Sequence, residues 1–177
     1  MIYKYLHIDI NIFISSKILK NEYINIFTQN ITITIKNFRG IQMSNIEKVN
    51  EILEKAEEFY LATVDGDKPK VRPLGFHLLD GDKIYFGVGT FKAVYKQMET
   101  NPNVEIAAWD GEHFLRYYGV ANLTKNEEIV EKAFELMPEI AEAYKANGWE
   151  MGVFFLDKAT AEIRNMMEVE ETYEFEY

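Results

Sequence analysis

Three Asp-Gly pairs, at Asp65-Gly66, Asp80-Gly81 and Asp110-Gly111, each sit between short runs rich in alternating apolar residues. Asp-Gly in that setting supplies the positive φ angles of a tight hairpin, so each pair predicts two antiparallel strands joined directly. A tight turn leaves no room for the crossover helix that parallel strands require. The chain is thereby confined to antiparallel β structure. Phe59 to Val64, Lys70 to Leu79 and Lys83 to Gly87 read as a three-strand meander, and Val104 to Trp109 with His113 to Leu123 as a further hairpin. Met151 to Arg164 reads as another strand, and Glu170 to Tyr177, alternating acid and aromatic, as an edge strand.

Helical periodicity fills the gaps. Ile46, Val49, Leu53 and Ala56 recur on one face behind the capping box S-N-I-E, predicting a helix from Ser44 to about Glu58. A second helix is expected to open at Thr90 and to stop at Asn101-Pro102, where proline removes a donor. A third starts from a capping box at Thr124 to Glu127 and carries Ile129, Val130, Ala133, Phe134 and Met137 on one side; Pro138 breaks or restarts it, with a short helix to about Ala146. Six or seven antiparallel strands with three helices suit a small closed barrel with helices at its rim.

Charge divides the chain in two. Residues 1–42 hold five Lys/Arg against two Asp/Glu, residues 43–177 fourteen against twenty-seven. A domain that acidic is a poor partner for a nucleic-acid backbone. The first 42 residues contain no Ala, Val or Pro, and their apolar run N-I-F-I-S-S is too short and interrupted for a signal peptide or membrane helix. Met43, placed directly before the first capping box, is the expected natural start, with 1–42 a non-native or poorly ordered extension; the alternative is a genuine extension with Ile31 to Ile35 as a strand. Absence of cysteine excludes disulfides, Cys-based zinc sites and thiol nucleophiles, and agrees with a cytoplasmic location.

The stretch Val71 to Met98 carries the site chemistry. Arg72 lies in an apolar strand, and a Gly-rich bend, G-V-G-T-F-K, leads into a helix with Thr90 and Lys92 at its start. A guanidinium, a hydroxyl, an ammonium and free helix N–H groups together make a phosphate cradle. A dinucleotide-binding reading of the same run fails, because the third glycine is replaced by Lys92 and the flanking strands are hairpins. His77 and His113 have no third ligand at metal-binding spacing, so no metal site is expected. Arg116, among Phe114, Tyr117 and Tyr118, either pairs with Glu112 or an interface carboxylate or reaches a planar ligand.

The segments L-A-T-V-D-G-D-K-P-K-V-R-P-L-G-F, K-I-Y-F-G-V-G-T-F-K-A-V-Y-K-Q-M, N-P-N-V-E-I-A-A-W and F-L-R-Y-Y-G-V-A-N-L, in that order, resemble the pyridoxamine-phosphate-oxidase-like FMN-binding split barrels. The resemblance covers about Met43 to Phe175. It implies an α+β fold, a six-stranded antiparallel split β-barrel with peripheral helices, working as a homodimer with FMN sites between subunits. It also implies that Arg72, Thr90 and Lys92 hold the FMN phosphate, that Pro73, Leu74, Gly87, Val88 and Gly89 line the flavin, and that Phe114 and Arg116 approach it. Arg116, His113 and Tyr117 are the catalytic candidates. Two departures separate the chain from the vitamin-forming oxidase: His77 stands where that enzyme has lysine, and the C-terminal run E-V-E-E-T-Y-E-F-E-Y lacks its basic substrate motif. The expected function is a flavin-dependent oxidoreductase reducing a small organic acceptor; the alternatives are a non-catalytic flavin carrier, or a split barrel using haem or a deazaflavin.

Overall fold

A computed structural model describes residues 43–56 and 58–177, and these described residues form eight strands and four helices. The expectations for residues 1–42 lie outside the described residues. In order, the elements are α1 (Asn45–Lys55), β1 (Phe59–Asp65), β2 (Lys68–Leu74), β3 (His77–Asp80), β4 (Lys83–Gly89), α2 (Ala93–Thr100), β5 (Asn103–Trp109), β6 (Phe114–Thr124), α3 (Glu127–Leu136), α4 (Pro138–Asn147), β7 (Met151–Arg164) and β8 (Val169–Phe175). The three Asp-Gly pairs do turn the chain: Gly66, Gly81 and Gly111 all have positive φ.

All strand pairs are antiparallel, in the order β2-β1-β5-β6-β7-β4-β3, with β8 on β7. The expected single strand from Lys70 to Leu79 is broken at Gly75-Phe76. Its two halves go to opposite edges of the sheet, so the three-strand meander is corrected to two separate hairpins. Leu74 and His77 are three residues apart and so no more than roughly 11 Å from each other. The edges must therefore come together. That short tether curls the sheet into a split barrel, with β7 as its long seam.

Register sorts the residues between the two faces of the barrel wall. Arg72, Leu61, Ile106, Tyr117 and Ala161 form one row across β2, β1, β5, β6 and β7, and Leu61, Ile106, Tyr117 and Ala161 are all buried. The neighbouring row, Pro73, Tyr60, Ala107, Arg116 and Glu162, lies on the outer face. Inside, Phe86 packs against Phe154, Tyr117 and Phe59. Between β6 and β7 the register shifts after Tyr118, and a Cβ on Gly119 would stand 2.8 Å from the Ala159 Cα, so only glycine permits that approach.

The helices close the barrel. The Ser44 capping box is present, with the Glu47 carboxylate accepting from the Ser44 N–H at 2.7 Å, and α1 buries Ile46, Val49, Ile52 and Leu53. The third helix is capped by Asn126 rather than Thr124, its side chain accepting from the Ile129 N–H at 3.2 Å. Pro138 restarts the chain as a full fourth helix, in keeping with its preference for the first helical turn.

Candidate functional site

Arg72 belongs to the inner row but sits on the edge strand, where the row runs out from under the core. Its guanidinium bends back across β1. Nη1 donates to the Leu61 carbonyl at 3.0 Å, the Thr63 hydroxyl at 2.7 Å and the Lys70 carbonyl at 3.0 Å, while Nη2 donates to Gln97 Oε1 at 2.9 Å. Thr63, only 2% exposed, in turn donates its hydroxyl proton to the same Gln97 oxygen at 2.7 Å. Burial pulls the Arg72 pKa down, but a guanidinium starts so high that it remains charged. A cation on β2 is thus fastened to α2.

The start of α2 differs from expectation. The helix begins at Ala93 with Lys92 at the N-cap, and no side chain caps it. Thr90 is drawn away, its N–H and hydroxyl both donating to the Glu150 carbonyl, at 3.0 and 3.3 Å, which pins the bend to the chain entering β7. The Lys92 N–H is used by the Gly89 carbonyl, but those of Ala93 and Val94 meet no acceptor among the described residues. Lys92 is exposed. Arg72, Lys92 and two N–H groups that meet no acceptor among the described residues are thus the donors this region offers an anion, while Thr90 fixes the loop.

Aromatic side chains wall this bend. Phe91 stacks on Trp149 with ring centroids 4.3 Å apart, and Tyr144 meets both edge-on. A Cβ on Gly89 would lie 2.5 Å from the Phe91 ring and 2.9 Å from the Tyr144 hydroxyl, so the glycine makes space for this cluster. Gly87 and Val88 lie within the β4–β7 ladder, Val88 with its side chain buried.

The remaining candidates are not gathered here within one chain. Leu74 is buried in the core, whereas Pro73 is on the outer face. Arg116 is also on the outer face, and within the chain its carboxylate partner is Glu105 of β5 instead of Glu112: it forks onto Glu105 at 2.5 and 3.0 Å, which raises its pKa. Phe114 sits two residues before it, beside Trp109 and under the Arg164 guanidinium. Tyr117 is a core residue, 1% exposed, and burial pushes its phenol pKa up, so its proton stays on. His113 lies between Asp110 and Glu170, with Nδ1 3.7 Å and Nε2 3.2 Å from their carboxylates. His77 packs edge-on against Phe59, and burial lowers its pKa against the opposing pull of Glu54.

The family model for pyridoxamine 5'-phosphate oxidase matches residues 46–167, a span that contains the barrel strands β1 to β7, Arg72 and the α2 start. The chain belongs to the pyridoxamine 5'-phosphate oxidase family. A solved NimC/NimA family protein of Clostridium acetobutylicum is 29% identical with a TM-score of 0.65, over 74% of this chain and 94% of its own. A putative pyridoxamine 5'-phosphate oxidase of Listeria innocua is 23% identical with a TM-score of 0.51, over 71% and 100%. A pyridoxamine 5'-phosphate oxidase-related, FMN-binding protein of Nostoc punctiforme is 16% identical with a TM-score of 0.51, over 75% and 90%. The last two share the fold. No curated protein matches the sequence. No helix among the described residues is long and apolar enough to cross a membrane.

Proposed function

We propose that this family member binds FMN through its phosphate at Arg72, Lys92 and the α2 N-terminus, and works as a flavin-dependent oxidoreductase on a small organic acceptor. The observation that carries this reading is the Arg72 guanidinium, held by neutral acceptors only among the described residues and fastened through Gln97 to α2, the helix whose start has uncapped N–H groups and an exposed lysine. An anion of two negative charges fits that donor set, and a phosphate monoester is such an anion. When bound, FMN supplies the redox chemistry of its isoalloxazine. The chain's part is to bind and orient: Arg72 and Lys92 neutralise the phosphate, Thr90 locks the bend to Glu150, and the packed rings of Phe91, Tyr144 and Trp149 brace the bend.

Two opposite wall faces carry the candidates, Arg72 inside and Pro73, Phe114 and Arg116 outside, and this supports a homodimer in which the outer face of one copy completes the site of the other. Exposed Tyr60, Val71 and Trp109 make that outer face apolar enough to be covered. The acidic C-terminal strand supports an acceptor other than a phosphorylated vitamin precursor. The test is a visible spectrum after incubation with FMN and desalting, with mass measured in the same eluate. Flavin bands on a protein of doubled mass are expected; a colourless protein removes the function, and a coloured monomer removes the shared site.

A further inference from the structure

We propose that Thr63 and Gln97 are positioning residues that aim Arg72 at the phosphate and keep its charge unspent, making the site selective for a phosphate monoester over the same ring system without phosphate. The inference rests on the phosphate reading above and gives a role in ligand selectivity to two of the groups that hold Arg72.

Its basis is a count of donors and acceptors. A guanidinium has five N–H bonds, two on each Nη and one on Nε. The two Nη1 protons are shared among the Leu61, Lys70 and Thr63 oxygens, one of them bifurcated, and one Nη2 proton goes to Gln97. The Thr63 and Gln97 oxygens are themselves 2.7 Å apart, so they sit together at the end of the fork that joins Nη1 to Nη2. The side edge, Nε–H with the second Nη2–H, meets no acceptor among the described residues. That edge is the one that grips a phosphate with two parallel hydrogen bonds.

The triangle also fixes its own orientation. Gln97 Oε1 accepts from both the Thr63 hydroxyl and Arg72 Nη2. Turning the amide over would set its NH₂ against two donors, so the carbonyl oxygen must face inward. Thr63 is buried and its hydroxyl is fully engaged, as acceptor from Nη1 and donor to Gln97, so it cannot swing away without leaving an unpaired group. Every atom that holds Arg72 is thus a carbonyl, hydroxyl or amide oxygen. None is a carboxylate. A carboxylate at position 97 would fit the same space and would cancel the positive charge the phosphate needs.

The test compares FMN with riboflavin, which lacks only the phosphate, on the full-length protein. Dissociation constants for both are measured in the wild type, Gln97→Glu, Thr63→Val and Thr63→Ser, with thermal unfolding recorded for each. In the wild type FMN binds more tightly than riboflavin. Gln97→Glu is expected to lower the FMN-to-riboflavin preference at least about tenfold, the scale of a charge-assisted hydrogen bond, with riboflavin affinity and unfolding temperature held. Thr63→Val lowers the preference by a smaller factor, and Thr63→Ser, which keeps the hydroxyl, restores it. A purely structural role would weaken both ligands alike, so an unchanged preference in Gln97→Glu and Thr63→Val overturns the inference while leaving the phosphate site intact. A wild type that binds both ligands equally overturns the phosphate site, and this inference with it.

Discussion

Arg72 and Arg116 occupy adjacent rows of the same sheet and face opposite ways through its wall. Arg116 is the more exposed, yet its charge is already cancelled by a two-point grip on Glu105, which raises its pKa. Arg72 is half-buried and makes more hydrogen bonds, but all its acceptors are neutral, and burial lowers its pKa because no negative charge compensates. Availability to an anion is therefore set by the charge of a side chain's partners and not by its exposure. By that measure the hidden arginine is the open one.

The contrast is most easily broken at Arg72 itself. Arg72→Ala should weaken FMN by about 1.5 to 3 kcal/mol, read by flavin fluorescence titration, since a charge-assisted hydrogen bond to phosphate is lost. Lys92→Ala should cost less, about three- to tenfold in affinity, and its effect should shrink in high salt because the ammonium is solvated. An Arg72 variant with wild-type affinity would leave the neutral-partner reasoning without support. Acid sharpens the comparison from another side. The pKa of folded His77 is below the usual 6.5, so on acidification the unfolded chain takes up its proton first, and stability falls as pH drops below about 6.5 until the folded form protonates as well. His77→Gln should flatten that part of a plot of Tm against pH, with the Arg72 contacts unaffected because their partners do not titrate there. The smallest effect belongs to the outer face: Glu105→Gln should shift unfolding by only about 0.2 to 1 kcal/mol, as exposed ion pairs do.

Hairpin chemistry made much of the barrel legible. Asp-Gly turns located three reversals, and the run from Met151 to Arg164 read as a strand has the bounds of β7. The break at Gly75 was hidden because each flanking half still alternates and nothing local reports that they join different edges. The α2 start was misplaced because Thr90 is an ordinary cap by sequence, and its consumption by the Glu150 carbonyl is a contact made across the fold. Arg72 and Lys92 are marked in the sequence by residue type and position, a cation in an apolar strand and a cation at a helix start. Thr63 was missed although its signal is visible: alternation puts it inward with Phe59 and Leu61, and a hydroxyl on a buried face requires a partner. Gln97 carried a weaker mark, a polar residue on a helix otherwise docked through Val94 and Met98.

The fourteen residues of β7 pair with β4 at one end, β8 at the other and β6 along most of their length. The β1–β2, β3–β4 and β5–β6 hairpins can each form from neighbouring residues, but nothing joins β4 to β6 until β7 arrives. Such distant pairing is slow relative to hairpin closure. During synthesis, a chain that has left the ribosome only as far as α4 presents two raw strand edges over an unclosed core, the condition in which strands find the wrong partner. The seam that makes the barrel continuous thereby also sets the interval in which the nascent protein most needs protection from its neighbours.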